Sequence, residues 1–363
     1  MSTNNKIKNN FLKINGKKIG EEFPTYFIAD IAANHDGDLN RAKELIYLCA
    51  EAGADAAKFQ HFQANTIVSD KGFKNLKKQL SHQSKWKKSV FEVYQDASLN
   101  LEWTVELKKT AEKAKIAFFS TPYSLEAVDY LDKFVPAYKI GSGDITWHEM
   151  LIKVSEKKKP FFLATGASNQ VEIDYAVSIC KKINPNFCIM QCNTNYTGSL
   201  ENFNFIQLNV LKKYKELYPD LILGLSDHTP GHSTCLGAVT LGARAIEKHF
   251  TDDTSREGPD HQFSMDYKGW KEMVDRTREL EIALGGSIKK IEKNEEDTVV
   301  LQRRSMRSRK LLKKGTIIKF KDFIALRPCP RDAIKPCDFD KFVGKKLNID
   351  IEEGDYLKKI FLK

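Results

Sequence analysis

Between residues 26 and 250, short and nearly unbroken apolar runs alternate with longer stretches in which apolar residues recur every three or four positions. The short runs, at 26–31, 54–59, 116–119, 137–140, 161–164, 187–191, 221–225 and 245–249, predict β-strands. The longer stretches, at 39–52, 125–134, 149–157, 171–182, 204–217 and 234–242, predict helices, the first stopped by Gly53 as a C-cap. After the second strand comes a long insertion that reads as amphipathic, lysine-rich helices. Strands that are apolar on both faces are covered on both faces, which is the habit of a parallel sheet. Eight strand–helix units in succession therefore predict an α/β fold, a (β/α)8 TIM barrel over 21–285. A doubly wound open sheet is the rival, but it uses fewer units and gives no reason for chemistry at every strand end.

The texture changes on either side of this region. Residues 1–20 read as a polar segment. A helical stretch from 267 to 284 ends at Gly285-Gly286, and 286–302 reads as a charged linker. From 303 the runs KKGTII, FIALRP, FVGKKLNIDI and EEGDYL predict a small β-rich domain over 303–363, too small to be robust without another surface to lean on.

Composition narrows the class. With 41% hydrophobic and 29% charged residues the chain is globular, and no window is long and apolar enough for a membrane span. The formal charge of +10 invites a nucleic-acid reading, but the lysines come in pairs on presumed helix faces, as at 77–78, 87–88, 108–109 and 181–182, without interleaved aromatics. A basic surface that attracts small anions is the better reading, with no nucleic acid and no membrane as partners. Seven scattered cysteines without a CxxC argue against a disulfide frame or a cysteine zinc knot, and MSTNNKIKNN holds no signal-peptide core, so the default compartment is the cytoplasm.

A barrel of this kind carries its chemistry at the C-terminal strand ends. There, His228 and His249 leave neighbouring strands at the same end, a placement suited to a divalent metal such as Mn, Fe, Zn or Co. Lys58 and Lys139 each interrupt an apolar strand, where an unpaired ammonium is costly. A bound anion resolves that cost, and with Thr121, Ser142 and the loop GSGD the two lysines make a phosphate cradle. The alternatives are pairing with a carboxylate such as Asp30 or Asp144, or a Schiff-base role. Asp30 and Asp144 are also candidates for general acid or base, whereas Asp36 and Asp38 read as helix caps.

In order along the chain, NHDGD, AGADAAKFQ, STPYS, YKIGSGD, TGAS, GLSDH, LGARAIEKHF and GPD resemble the sialic acid synthase family, and RPCPRD with VGKKLNIDIEEGD is similar to its C-terminal antifreeze-like (β-clip) domain. The resemblance implies condensation of phosphoenolpyruvate with an N-acetylmannosamine-type hexosamine and water to give a sialic (nonulosonic) acid and phosphate, N-acetylneuraminate in the first instance. Legionaminic and pseudaminic acids stay open as alternatives. It implies a divalent metal ion, Mn or Mg, on His228 and His249. Lys58, Thr121, Lys139 and Ser142 match phosphoenolpyruvate contacts, and Ser226, Tyr196 and Asp260 match groups lining the substrate site. Arg327 matches an arginine that reaches the sugar from the partner subunit, which implies a homodimer with swapped C-terminal domains. Four positions depart from the family pattern. Asp30 stands in place of glutamate, Ala164 in place of a phosphate-holding serine, Thr194 in place of an asparagine, and Cys329 in place of glycine. Two rival functions are a Schiff-base pyruvate aldolase and a sugar-binding protein without catalysis.

Overall fold

The computed structural model describes residues 10–76, 78 and 81–363, so residues 1–9 and Lys77 of one lysine pair lie outside it. Each predicted apolar run forms a strand. They are β3 (Tyr26–Asp30), β4 (Ala56–His61), β5 (Ala117–Pro122), β6 (Tyr138–Ile140), β7 (Phe161–Ala164), β8 (Phe187–Cys192), β9 (Ile222–Asp227) and β10 (Ala243–His249). All pair in parallel, and β10 closes on β3, giving the expected eight-stranded barrel. Every residue of these strands except Gln60 and Arg244 is buried, as a parallel sheet packed on both faces requires.

Inward-facing aromatics fill the lower barrel, where the Phe119 and Phe162 rings stack at 5.6 Å and Tyr26 stacks on Phe162 at 6.4 Å. Gly224 belongs to the same interior, because a Cβ there would lie 2.9 Å from Cys188 Sγ and from the Ala245 carbonyl oxygen. With this floor filled, polar side chains higher on the same strands are held at the upper rim.

Three stretches of the barrel unit differ from expectation. Residues 10–20 are not a tail: β1 (Leu12–Ile14) and β2 (Lys17–Ile19) form an antiparallel hairpin that buries Leu12, Ile14 and Ile19 in the barrel's hydrophobic cluster. The helix expected over 204–217 begins only at Val210, after a 3-10 turn at Leu200–Phe205 and a left-handed Gln207. Lys87 and Lys88 lie in a loop rather than on a helix face.

The chain divides into residues 1–285 and 286–363. In the second unit, β11 (Ser305–Ser308) pairs antiparallel with β12 (Phe323–Leu326), while the other β-type runs contribute single bridges such as Leu312 to Ile351. Met306, Ile318, Phe323, Phe339 and Leu357 give this unit a core of its own. The stretch expected as linker carries a short helix, Glu296–Gln302, tied in by the Cys329 amide donating to the Val300 carbonyl at 2.9 Å. No helix among the described residues is long and apolar enough to cross a membrane.

Candidate active site

Strand alternation decides which polar side chains enter the barrel. Asp30, Lys58, Lys139, Ser226 and Glu247 point inward from five different strands and meet. Lys58 Nζ lies 2.6 Å from Asp30 Oδ2 and 3.3 Å from Thr121 Oγ1. Lys139 Nζ lies 2.7 Å from Glu247 Oε1, which also accepts from Ser226 Oγ at 3.0 Å. The other Glu247 oxygen is 3.9 Å from Lys58 Nζ and buried without a hydrogen-bond partner. Of the two carboxylates expected to pair with the lysines, Asp30 does so and Asp144 does not. Lys139 reaches across the barrel to Glu247, a residue to which the sequence reading gave no role. Its signal was available, since it shares inward parity with His249 two residues on.

Electrostatics here is set by mutual neutralisation. Burial alone would raise Asp30, but the Lys58 ammonium and the adjacent His249 hold its carboxyl down to about 2. Burial also opposes ionisation of Glu247 and protonation of Lys139. Their attraction outweighs that penalty, so the carboxyl is lowered and the ammonium raised.

The loops above this cluster supply the remaining candidates. Ser142 Oγ accepts from the Gly166 amide at 3.0 Å, and Gly166 admits no side chain, since a Cβ would lie 1.9 Å from Thr194 Oγ1. Ser142 and Thr194 are thereby packed against one backbone turn beside Lys139. Asp144 lines one cavity with Ser142 and Thr194, its buried Oδ2 is unpartnered, and burial pushes it up to about 6. Asp260 is likewise raised to about 6 by burial, although its Oδ2 accepts from the Ala33 amide at 3.1 Å. Of the expected caps, Asp38 caps the helix Leu39–Glu51, whereas Asp36 instead pairs with Arg41 and His261.

His228 and His249 stand with ring centroids 5.4 Å apart, and Tyr196 packs on both, at 4.5 and 6.3 Å. The pair fits a metal ion in three respects. His228 Nδ1 faces the Asn193 carbonyl at 3.0 Å, so that nitrogen holds the proton and leaves Nε2 for a ligand bond in the neutral ring. His249 Nδ1 is buried without a partner. Burial pushes the His249 imidazole down to about 3, which keeps it neutral. His228 differs: burial would lower it, but contacts with Cys192 and the Asn193 carbonyl raise it. No group of three or more His, Cys, Asp or Glu among the described residues forms a complete protein ligand set. The other positions around an ion on these imidazoles would fall to substrate oxygen or water.

Gln60, Tyr123, Ser142, Asp144, His249 and Asp260 line a cavity of about 400 Å³. Twelve of the thirteen expected site residues belong to the barrel unit. Arg327 is the exception, an exposed residue of the second unit whose Nε donates to the Gln302 carbonyl at 2.8 Å.

The sequence pattern of the NeuB family matches residues 45–289. The chain is 35% identical over 342 residues to N,N'-diacetyllegionaminic acid synthase of Campylobacter jejuni, across 92% of this chain and 99% of that one. It is 32% identical over 341 residues to human N-acetylneuraminate-9-phosphate synthase, across 94% of this chain and 93% of the human one. Among solved structures, the N-acetylneuraminic acid (sialic acid) synthetase from Leptospira borgpetersenii superposes with a TM-score of 0.70 at 28% identity, covering 80% of this chain and 95% of that one. The chain therefore belongs to the NeuB family, and it is a phosphoenolpyruvate-dependent synthase of nonulosonic acids.

Proposed function

We propose that the protein joins phosphoenolpyruvate to an open-chain 2-acetamido aldohexose of the N-acetylmannosamine type, taking up water and releasing phosphate. The observation that carries this reading is the pair of buried ammonium groups, Lys58 and Lys139, in a cluster whose neighbours Gln60 and His249 line the cavity. Both are held by carboxylates that a substrate phosphate can replace as counter-charge. The enol carbon bonds to the aldehyde carbon, water adds to the cation left at the phosphate-bearing carbon, and phosphate leaves the tetrahedral intermediate. Lys58 and Lys139 stabilise the departing charge, with Thr121, Ser142 and Thr194 as hydroxyl partners. Asp144, near 6, is matched to take the proton from the attacking water at neutral pH, whereas Asp30, near 2, stays ionised and orients Lys58. Ser226 holds Glu247, and Tyr196 and Asp260 wall the sugar side.

A Mn or Mg ion on His228 and His249 would supply Lewis-acid polarisation of the aldehyde oxygen. The second unit acts in a swapped homodimer, in which Arg327 of one chain reaches the sugar in the other. The test is inorganic phosphate released from phosphoenolpyruvate by Mn-loaded protein, dependent on the added aldose. Absence of release with every 2-acetamido hexose tried would overturn the reading, and a borohydride-trapped pyruvate adduct on Lys58 or Lys139 would replace it with an aldolase.

A further inference from the structure

The second unit, residues 286–363, has a cavity of its own, about 240 Å³ in volume. It lies between the helix Glu296–Gln302 and the loop 329–335, which are tied together where the Cys329 amide donates to the Val300 carbonyl at 2.9 Å. Arg303 lines it from the helix side, and Arg331 and Lys335 line it from the loop. The chemistry assigned to the barrel uses none of these three.

The arginines of this unit divide by what they bond. Arg304, Arg307, Arg309 and Arg327 donate to the backbone carbonyls of Ala325, Gly354, Phe323 and Gln302, at 2.8 to 3.1 Å. Arg303 and Arg331 make no hydrogen bond or ion pair among the described residues, and both line the cavity. Lys335 makes no ion pair either. The carboxylates of its neighbourhood are already engaged, Asp332 with Lys358 at 2.9 Å and Asp338 with Lys341 at 2.5 Å. Glu296 is the one acidic residue of the lining, so three cations against one carboxylate leave a formal charge of +2.

That charge selects a ligand chemistry. Like charges held around one concavity repel, and an anion among them relieves the repulsion. Forked guanidinium groups match the oxygens of a phosphate, and a phosphate monoester carries about −1.5 to −2 at neutral pH. The rest of the wall is apolar: Ile291, Val299, Val300, Pro330 and the buried Cys329. Ile291 is half-exposed, and an organic group laid on it removes apolar surface from water, which a bare phosphate cannot do. A ligand held by both arginines also braces the helix end against the loop that follows Arg327.

We propose that this cavity is a second anion site, separate from the lysine pair of the barrel, and that it takes a small organic phosphate monoester with an apolar body. Hydrogen exchange on the full-length protein tests it, read by mass spectrometry in peptides covering 296–303 and 329–335. Phenyl phosphate and inorganic phosphate are the probes. At about 10 mM phenyl phosphate and a Kd near about 1 mM, exchange in both peptides should slow about tenfold. Inorganic phosphate should protect at least about threefold less, for want of an apolar contact. The protection should persist in Lys139→Met, whose barrel site is weakened. It should vanish in the double variant Arg303→Gln, Arg331→Gln, which should melt as the wild type does because both side chains are exposed and unpaired. Unchanged exchange with phenyl phosphate, or protection that survives in the double variant, would overturn the site. Protection confined to barrel peptides would assign the anion to Lys58 and Lys139 and overturn it equally. Equal protection by the two probes would overturn the organic ligand.

Discussion

Glu247 and Lys248 are neighbours in sequence, yet they enter two buried ion clusters of opposite character. Parity sends Glu247 into the barrel and Lys248 to the outer face, where its Nζ meets Asp227 at 2.5 Å beneath the helix Ser233–Thr240. The outer pair is closed. Asp227 accepts further bonds from Thr229 and Thr234, Lys248 donates to the Thr229 carbonyl at 2.6 Å, and both side chains are at most 1% exposed. The inner cluster is open. One Glu247 oxygen and one His249 nitrogen are buried without partners, and the cluster faces a cavity. Buried polar groups are nearly always satisfied in native proteins, so orphans gathered at a strand end mark a place where a ligand completes the set. The two clusters use the same residue types, and only the completeness of their bonding separates scaffold from site.

This contrast is breakable by substitution. The largest effect expected is on turnover. Lys139→Met removes a cation from the departing phosphate and should cut kcat about 10²–10³-fold, measured as phosphate release. It also costs stability, because Glu247 is left with Ser226 and a Lys58 already paired with Asp30. Lys248→Met should cost stability alone. It strands Asp227 without a cation and should cost about 3–5 kcal/mol in denaturant unfolding, while kcat per folded molecule stays within about twofold, as expected of a group outside the site. Equal losses of activity in the two variants would erase the distinction between them.

The next effect is on pH dependence. Desolvation raises Asp144, so it binds a proton below about 6 and releases it above. If it takes the proton from water, kcat rises with pH through that region and then levels. Asp144→Asn should remove this limb and lower the plateau, whereas Asp260→Asn should keep it. A limb that survives in Asp144→Asn would transfer the role elsewhere. The same shift has a stability sign: a carboxyl with a raised folded value favours the native state at low pH, and that contribution fades as pH climbs from about 4 to about 6. The smallest effect belongs to solvated pairs. Lys271→Ala removes a half-exposed partner of Asp275 and should change stability by about 0.5 kcal/mol or less.

The barrel was legible because each strand is a run apolar on both faces, and an amphipathic pattern followed seven of the eight at the length a crossover needs. The site was legible in part for the same reason, since strand parity makes Lys58, Lys139 and His249 inward-facing wherever the barrel closes. Which carboxylate meets which lysine was not legible. Lys139 and Glu247 are 108 positions apart, and their meeting depends on the width and stagger of the closed barrel. The hairpin at 12–19 was missed although its signal was present. Leu12 and Ile14 alternate with polar residues up to Asn15-Gly16, both of which have positive φ as a tight hairpin turn requires. The wall of the cavity was hidden because it gathers residues from the insertion after β4, from the loop after β8 and from Pro259 and Asp260, a convergence with no spacing rule.

The inner ion cluster, left incomplete by its own side chains, should be completed by a phosphate-bearing ligand. Titrating phosphoenolpyruvate into wild-type and Lys139→Met protein by calorimetry tests it most directly. The variant should bind at least about tenfold more weakly, in keeping with the loss of a charge-assisted contact, while still unfolding cooperatively. An unchanged affinity in a folded Lys139→Met protein would contradict it.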